Sequence, residues 1–216
     1  MSAITTLSEQ QQALIPIAAC TASGNITGLN VALRSGLDAG LTISAIKEVL
    51  VQLYAYAGFP RSLNGLGELM KVVGERKGQG IQDQAGAESE PVASGPELLA
   101  IGSANQTKLV GAPVQGPLFE FAPAIDFYLK AHLFGDIFAR TNLDWLSREL
   151  ATVAALATMQ GAEAQLQSHL GISINVGLTQ QQLRHAIEIL REHVDAAAAA
   201  RADAALERLL AARQSR

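Results

Sequence analysis

Apolar residues recur every three to four positions along nearly the whole chain, the spacing that predicts amphipathic α-helices. Near the start, this spacing predicts one helix over about residues 9–22 and a second over about 26–39. Gly24 and Gly40 follow these segments, and glycine is the residue that most easily takes the left-handed conformation at a helix end. Alternating apolar and polar runs rich in β-branched residues, which would predict strands, are missing from the sequence. We therefore predict an all-α fold.

Two stretches of the chain read as copies of one helical unit. Residues 13–42 align without a gap with residues 150–179, so matched positions lie 137 residues apart. The copies share several residues: Ala18/Ala155, Thr21/Thr158, Gly24/Gly161, Leu29/Leu166 and the tripeptide Gly-Leu-Thr at 40–42 and 177–179. A duplication of this kind predicts two similar helical hairpins. It also means that a polar residue present in only one copy is not needed for the unit to fold.

Capping and breaking residues predict further helix boundaries. Thr42 or Ser44 is expected to cap a third helix. A break is expected at Gly58-Phe59-Pro60, followed by a helix to about residue 75. The segment 77–96 is rich in Gly, Gln, Glu, Ser and Pro, a composition typical of a linker or mobile loop.

The second copy is expected to repeat the plan of the first. Asp144 is its predicted N-cap, Thr179 and Gln182 have the spacing of a capping box, and residues 191–213 predict an Ala-rich helix. We divide the chain into three parts: a first repeat at 1–76, a linker and loop at 77–122, and a second repeat with a C-terminal helix at 123–216.

Composition narrows the class of protein. The 216 residues are 49% hydrophobic but only 5% aromatic, which suits close-packed helices. The net charge is −4 without a basic stripe, so nucleic acid is not expected as a partner. No apolar run reaches the roughly 18 to 20 residues that span a bilayer, and no signal peptide is recognisable, so we expect a soluble cytoplasmic protein without a membrane partner. The single cysteine excludes an internal disulfide bond.

The two copies differ at positions that bear on chemistry. The second copy carries Glu149 and His169 where the first has Gln12 and Ala32. On an antiparallel hairpin that turns at Gly161, a rise of about 1.5 Å per residue places the two side chains at heights that differ by roughly 6 Å. They can therefore meet directly or across a water or ligand, and a carboxylate beside an imidazole can move protons near neutral pH. Because glutamine and alanine cannot exchange protons, an acid/base site of this kind is predicted only in the second copy.

A structural role for the same two residues is the alternative. Glu149 lies near the start of a predicted helix, where the helix dipole alone favours an acidic residue. His169 could be a hydrogen-bonded histidine of the core. The absence of both residues from the first copy favours the functional interpretation.

Other candidate residues surround the Gly-Phe-Pro break. Tyr54, Tyr56, Arg61 and Asn64 form a set that suits the binding of a small carboxylate, although the tyrosines could instead be core residues and Arg61 a surface charge. His132, just before Leu-Phe-Gly-Asp, could line a pocket wall. No spacing of Cys, His or Asp supports a metal site, and no Gly-rich phosphate loop follows a strand, so neither a metal nor a cofactor is expected.

Four motifs together resemble the carboxymuconolactone decarboxylase family, whose fold is also that of the alkylhydroperoxidase D type. They are Tyr-Ala-Tyr-Ala-Gly-Phe-Pro-Arg-Ser-Leu-Asn at 54–64, His-Leu-Phe-Gly-Asp-Ile-Phe-Ala-Arg at 132–140, Arg-Glu-Leu-Ala-Thr-Val-Ala-Ala-Leu-Ala at 148–157, and Gln-Ser-His at 167–169 with Asn-Val-Gly-Leu-Thr at 175–179. The resemblance covers nearly the whole chain in a two-copy form. It implies an all-α fold of duplicated helical hairpins and a homo-oligomer, trimeric or hexameric.

The resembled family contains two kinds of chemistry. One branch decarboxylates γ-carboxymuconolactone with acid/base groups and no cofactor. The alkylhydroperoxidase D type uses a Cys-x-x-Cys pair with a Glu and a His. Here Ala162 and Gln165 occupy the positions of that pair, and Cys20 lies in the other copy without a second cysteine. By this resemblance, the chain has the acid/base residues of the alkylhydroperoxidase D type, Glu149 and His169, but lacks its two thiols.

The favoured hypothesis is a cofactor-free lyase or isomerase, a decarboxylase in the first instance, that acts on a small anionic lactone or carboxylate. His169 would transfer the proton, Glu149 would orient it, and Arg61 with Asn64 would hold the carboxylate. The second hypothesis is a binding or oligomeric scaffold that kept the fold and lost the chemistry. A thiol antioxidant that depends on Cys20 is the least favoured. The sequence does not name the substrate or set the subunit count.

Overall fold

The computed structural model describes residues 6–214, and within them the chain forms eleven α-helices and one π-helix but no strand. The predicted all-α fold class is confirmed. Within the same range, no helix combines the length and the apolar character needed to cross a bilayer. The helices are α1 (Glu9–Ser23), α2 (Ile26–Asp38), α3 (Ile43–Gln52), α4 (Tyr54–Gly78), α5 (Pro96–Val110), α6 (Pro117–Phe121), α7 (Pro123–Phe127), the π-helix (Tyr128–Ile137), α8 (Trp145–Thr158), α9 (Glu163–Asn175), α10 (Gln180–His193) and α11 (Ala196–Gln214).

Side-chain caps set most of the helix starts that the sequence predicts. Thr42 accepts a hydrogen bond from the backbone of Ala45 and begins α3, and Asp144 caps α8 in the same way. The side chains of Thr179 and Gln182 form the predicted capping box of α10. At the end of α1, Gly24 takes the left-handed conformation with φ of 75°, which ends the helix as predicted.

The structural repeat extends beyond the stretch that is recognisable in the sequence. Helix α4 kinks at Gly58, whose φ of 82° and ψ of 160° are outside the helical region, as expected for the Gly-Phe-Pro break. The longer part of α4 then matches α11 at the same offset of 137 residues. Residues buried at matched positions include Ser62/Ala199, Gly65/Ala202 and Leu69/Leu206. Helices α1–α4 and α8–α11 are therefore two copies of one four-helix unit.

The two copies share one hydrophobic core. Helices α1 and α8 pack against each other at its centre, and buried residues of both belong to one continuous cluster. Helices α3 and α4 also contact α8, while α10 contacts α1. The first helix of each copy is thus covered in part by the later helices of the other copy. This exchange decides which residues can meet at a site.

The region between the copies is more ordered than a linker or mobile loop. Residues 77–122, predicted as linker and loop, contain the helix α5, which packs on the π-helix. The irregular segment before α5 lies across the start of α3, where Ile43 and Ser44 donate backbone hydrogen bonds to Gln84 and Ala85. These contacts pair residues about 40 positions apart, which composition does not show.

One predicted helix differs in detail, and one segment between the copies forms an unusual helix. The helix predicted over 191–213 is interrupted, because α10 ends at His193 and Asp195 caps α11 through the backbone of Ala197 and Ala198. The stretch Tyr128–Ile137 is a π-helix rather than an α-helix. Wide helical turns of this kind are rare and occur often at functional sites.

Candidate active site

Glu149 and His169 are in direct contact. Glu149 lies on α8 and His169 on α9, and the distance from His169 Nδ1 to Glu149 Oε2 is 2.8 Å. The side chain of Glu149 is 0% exposed, whereas that of His169 keeps 11% of its surface exposed. A carboxylate can only accept, so Nδ1 carries the donated proton and Nε2 is left as the free nitrogen. The imidazole is therefore held in one tautomer, and only a small part of its side chain is exposed.

The helix dipole does not explain the position of Glu149. Helix α8 begins at Trp145, so Glu149 lies beyond its first turn, where the effect of the dipole is concentrated. One carboxylate oxygen, Oε1, is buried and has no hydrogen-bond partner among the described residues. A buried oxygen of this kind is costly unless something satisfies it, which favours a functional explanation.

Tyr56, from α4 of the other copy, completes a group of three. Its ring meets the His169 ring edge-on, with centroids 5.5 Å apart. Its hydroxyl is closed to solvent and makes no hydrogen bond of good geometry with the described residues. Burial, and after it the charge of Glu149, raise the pKa of Tyr56 far above its usual value, against smaller opposing effects of Thr152 and Arg148. The phenol therefore stays neutral and can act as a hydrogen-bond donor.

A hydrogen-bonded layer behind this group joins the two copies. Gln52 of α3 donates from Nε2 to Thr152 Oγ1 at 2.8 Å and to the backbone oxygen of Arg148 at 3.0 Å. Its Oε1 accepts from Arg148 Nη1 at 3.0 Å. The amide of Gln52 is thus used at both ends, and it fixes the segment of α8 that carries Glu149.

Two guanidinium groups hold one buried carboxylate at the back of the layer. Arg148 Nη2 lies 2.8 Å from Glu48 Oε1, and Arg140 Nε lies 2.9 Å from both oxygens of the same carboxylate. Burial raises the pKa of Glu48, but attraction by Arg148 and hydrogen bonds from Arg148, Arg140 and Asn142 outweigh it, so the pKa is lowered overall. Buried pairs of this kind fix a geometry, and removing one partner is costly.

The matching positions of the first copy carry no carboxylate–imidazole pair. Gln12 and Ala32 match Glu149 and His169, and Ile189 and His193 of α10 match Gln52 and Tyr56. These four residues line a cavity of about 520 Å³, which we call the first-copy cavity. The exchange of helices thus builds two equivalent positions, of which only one holds an acid/base pair.

Two other predicted site residues, Tyr54 and His132, lie next to each other. The Tyr54 ring stacks on Phe59 with centroids 4.4 Å apart and is tilted against the His132 ring at 5.5 Å. His132 Nδ1 lies 2.6 Å from Asp136 on the π-helix. His132 also lines a second cavity, of about 720 Å³, together with Phe127 and Tyr128.

Arg61 and Asn64, two further predicted site residues, are exposed residues of α4. The guanidinium of Arg61 packs over Gly24, where a Cβ atom would come within 1.3 Å of Nη1. Their role in holding a carboxylate stays a prediction.

Three buried polar residues of the site were not predicted from the sequence: Glu48, Gln52 and Thr152. The signal was available, since Glu48 and Gln52 are polar residues four positions apart on an otherwise apolar helical face. Both side chains are buried, at 2% and 0% exposure. Polar residues on a buried face need partners, and here the partners come from α8 of the other copy.

Two further observations concern thiol chemistry and metal binding. Cys20 is buried in the core, and burial raises the pKa of its thiol, which makes the reactive thiolate less available. Among residues 6–214, no three side chains of His, Cys, Asp or Glu come together as a group that could hold a metal ion.

The fold and this site define a class of protein: an all-α, two-copy protein with a buried carboxylate and imidazole in its second copy only. The chain belongs to the carboxymuconolactone decarboxylase family, whose family model matches residues 3–69 and 123–208. The two matches fall on the two copies, which confirms the predicted resemblance. No curated protein sequence matches the chain significantly.

Proposed function

We propose that this protein is a cofactor-free acid/base enzyme, a decarboxylase or isomerase, that acts on a small anionic lactone or carboxylate. Family membership supports this class of fold without specifying a reaction. The observation that carries the proposal is the 2.8 Å contact between Glu149 and an imidazole that keeps 11% of its side-chain surface exposed. A carboxylate that fixes the tautomer of a histidine is a recurring arrangement in proton transfer.

His169 is the proposed proton-transfer group, and Glu149 is its positioning residue. Because Nδ1 is held by Glu149, only Nε2 is free to exchange a proton with a substrate. Glu149 is sealed from solvent, so its charge acts on the imidazole through this single contact. The negative carboxylate also stabilises the imidazolium that forms when Nε2 takes up a proton.

Tyr56 is the proposed donor to a developing oxyanion. Loss of CO2 from a vinylogous or β-keto acid breaks a carbon–carbon bond and moves its electron pair into the neighbouring carbonyl, which becomes an enolate. The neutral phenol beside His169, whose buried hydroxyl has no hydrogen-bond partner of good geometry among the described residues, is the donor proposed for that enolate oxygen. The imidazolium at Nε2 then protonates the carbon, and water restores its proton. The net change is a carboxylate plus a proton giving the protonated product and CO2.

A screen for turnover tests the proposal. Small lactones, vinylogous acids and β-keto acids would be offered to the full chain, with CO2 release and product spectra as readouts. His169→Ala should lower kcat by about 10²- to 10⁴-fold, the usual contribution of a general acid or base. His185→Gln is the matched control, because His185 is a half-buried histidine outside this group that only accepts a bond from Leu7. Added imidazole should restore part of the lost rate in His169→Ala.

Unchanged turnover in His169→Ala on a confirmed substrate would refute the role of His169. The second hypothesis, a non-catalytic scaffold, is favoured by the low exposure of His169, which is 8% for the whole residue. It predicts that every substrate class fails while the fold stays intact. Peroxide consumption abolished by Cys20→Ser would instead establish the thiol hypothesis.

We also propose that the chain forms the homo-oligomer predicted from its family resemblance. Support comes from an exposed apolar surface on α6, α7 and the start of the π-helix, formed by Leu118, Phe121, Ile125, Phe127 and Tyr128. Contiguous exposed apolar residues of this kind mark interaction surfaces. Phe121→Asp should reduce the particle mass measured by light scattering, whereas Met70→Asp, at another exposed apolar residue, should not. A wild-type chain that stays monomeric would contradict this proposal.

A further inference from the structure

The first-copy cavity exists because the two aromatic rings that fill the equivalent space of the second copy have no counterpart inside it. One ring is replaced by a methyl group, and the residue that matches the other is exposed. In the second copy, the rings of His169 and Tyr56 meet edge to face between the helices. In the first copy, Ala32 stands at the position of His169, and His193, at the position of Tyr56, is exposed. The second copy thus shows which groups fit into the equivalent space between the helices, namely two flat rings in edge contact.

The walls of the cavity are largely apolar. Ala13, Pro16, Val31, Ala32 and Ile189 line it, and Ala32 and Ile189 are buried. Its volume of about 520 Å³ lies within the range of about 300–1,000 Å³ that is usual for small-molecule sites. The cavity is therefore large enough for a molecule of one or two fused rings.

The polar side chains that line the cavity can all accept a hydrogen bond, and those of Ser35 and His193 can also donate one. Pro16 has no N–H group, so the carbonyl of Gln12 cannot receive its usual helical hydrogen bond from residue 16. The Gln12 side chain already donates from Nε2 to the carbonyl of Leu7 at 2.8 Å. Glu9 adds a carboxylate at the exposed rim. A ligand with a donor is thus favoured, and an anion is disfavoured by the charge of Glu9.

We propose that the first-copy cavity is a second binding site, which takes a small uncharged aromatic molecule carrying a hydroxyl or N–H donor. The ring lies between α1, α2 and α10, and the donor faces the carbonyl of Gln12. This site is independent of the proposed reaction, because Glu149, His169 and Tyr56 have no part in it. It differs from the proposed active site in ligand charge, since that site is assigned to anionic substrates.

Ligand-observed saturation-transfer NMR with phenol and 2-naphthol tests this site on the full chain. Molecules of this size bind with dissociation constants of about 1 mM when they fit a preformed apolar site. Ala32→Leu fills the cavity and should weaken 2-naphthol binding about tenfold or more. Val31→Glu changes an exposed wall residue, so it should fold normally and also weaken binding. Benzoate should bind more weakly than phenol.

Two control variants match these changes at exposed positions outside the cavity. Ala100→Leu and Met70→Glu repeat the same kinds of substitution on α5 and α4 and should leave 2-naphthol binding unchanged. His169→Ala should leave it unchanged as well, because that residue belongs to the other copy. The absence of saturable binding, or binding that survives both Ala32→Leu and Val31→Glu, would overturn the proposal.

Discussion

The two copies place the same helices around equivalent positions but put different chemistry there. In the second copy, a carboxylate, an imidazole and a phenol meet above a hydrogen-bonded layer. In the first copy, Gln12 and Ala32 line an open and largely apolar cavity. The fold therefore tolerates both outcomes, and the polar residues of the second copy are not a requirement of the helical unit.

The difference extends to the residues behind each position. Arg148 and Glu48 of the second site correspond to Gln11 and His185, which do not form an ion pair with each other. A buried ion pair is an expensive way to stabilise a fold. The ion pair is found behind the second-copy site and not at the matching positions of the first copy. This difference indicates that the second copy retains a fixed geometry for a purpose other than folding.

The largest expected effect comes from breaking the buried ion pair. Arg148→Met should lower the free energy of unfolding by about 3 kcal/mol, because Glu48 loses its buried partner and keeps only Arg140. Gln11→Met, at the equivalent position, removes only a capping-box contact and should cost about 1 kcal/mol or less. Urea unfolding followed by circular dichroism measures both, and equal losses in the two variants would contradict the claimed asymmetry.

Tyr56→Phe tests the phenol alone. If the hydroxyl donates to an enolate oxygen, kcat should fall by about 10²- to 10³-fold while the stability stays close to that of the wild type. Tyr128→Phe removes a hydroxyl from an exposed tyrosine and is the matched control. A loss of stability in Tyr56→Phe without a loss of kcat would assign the phenol to packing.

Glu149→Gln makes the second copy resemble the first, which already has glutamine at this position. The variant should fold, because that copy does, but a charge-assisted hydrogen bond to His169 is lost. Bonds of that kind contribute about 1.5–3 kcal/mol, which corresponds to a decrease in kcat of about 10- to 150-fold. Glu192→Gln, at an exposed glutamate, should change nothing. Wild-type kcat in Glu149→Gln would show that the carboxylate does not orient the imidazole.

The smallest effect concerns acid stability. The pKa of Glu48 is lowered from 4.5 in the folded protein, so the stabilisation is present above that value and is lost as the pH falls through the folded-state pKa. The wild type should therefore lose free energy of unfolding below about pH 4.5 more steeply than Glu48→Gln does. Denaturant titrations between pH 3 and pH 7 measure the two slopes. Parallel curves would show that Glu48 is not held as an ion.

Local rules predicted much of the fold because its helices obey them individually. The caps at Thr42, Asp144 and Thr179 and the kink at Gly58 lie where the sequence places them. Helix α5 was missed because it directly follows the stretch 77–96, whose composition resembles that of a linker. The ordered segment before it is held by contacts with distant residues, which local patterns cannot report.

The candidate site was predictable only where the duplication exposed it. The contrast between the copies singled out Glu149 and His169, and the structure shows them in contact. The contributions of Gln52 and Glu48 depend on α3 packing against α8 of the other copy, a long-range pairing that a single sequence does not reveal. The role of Arg61 and Asn64 stays a prediction, since both are exposed residues of α4 beyond its kink.

The protonation of His169 gives the most direct test of the central claim that Glu149 holds this imidazole for proton transfer. Nitrogen-15 NMR of the four histidine side chains, with His169→Ala for assignment, reports which ring nitrogen carries the proton. Neutral His169 should be protonated at Nδ1, and Glu149→Met, which removes the acceptor, should abolish this preference. A proton at Nε2 in the wild type, or an unchanged tautomer in Glu149→Met, would contradict it.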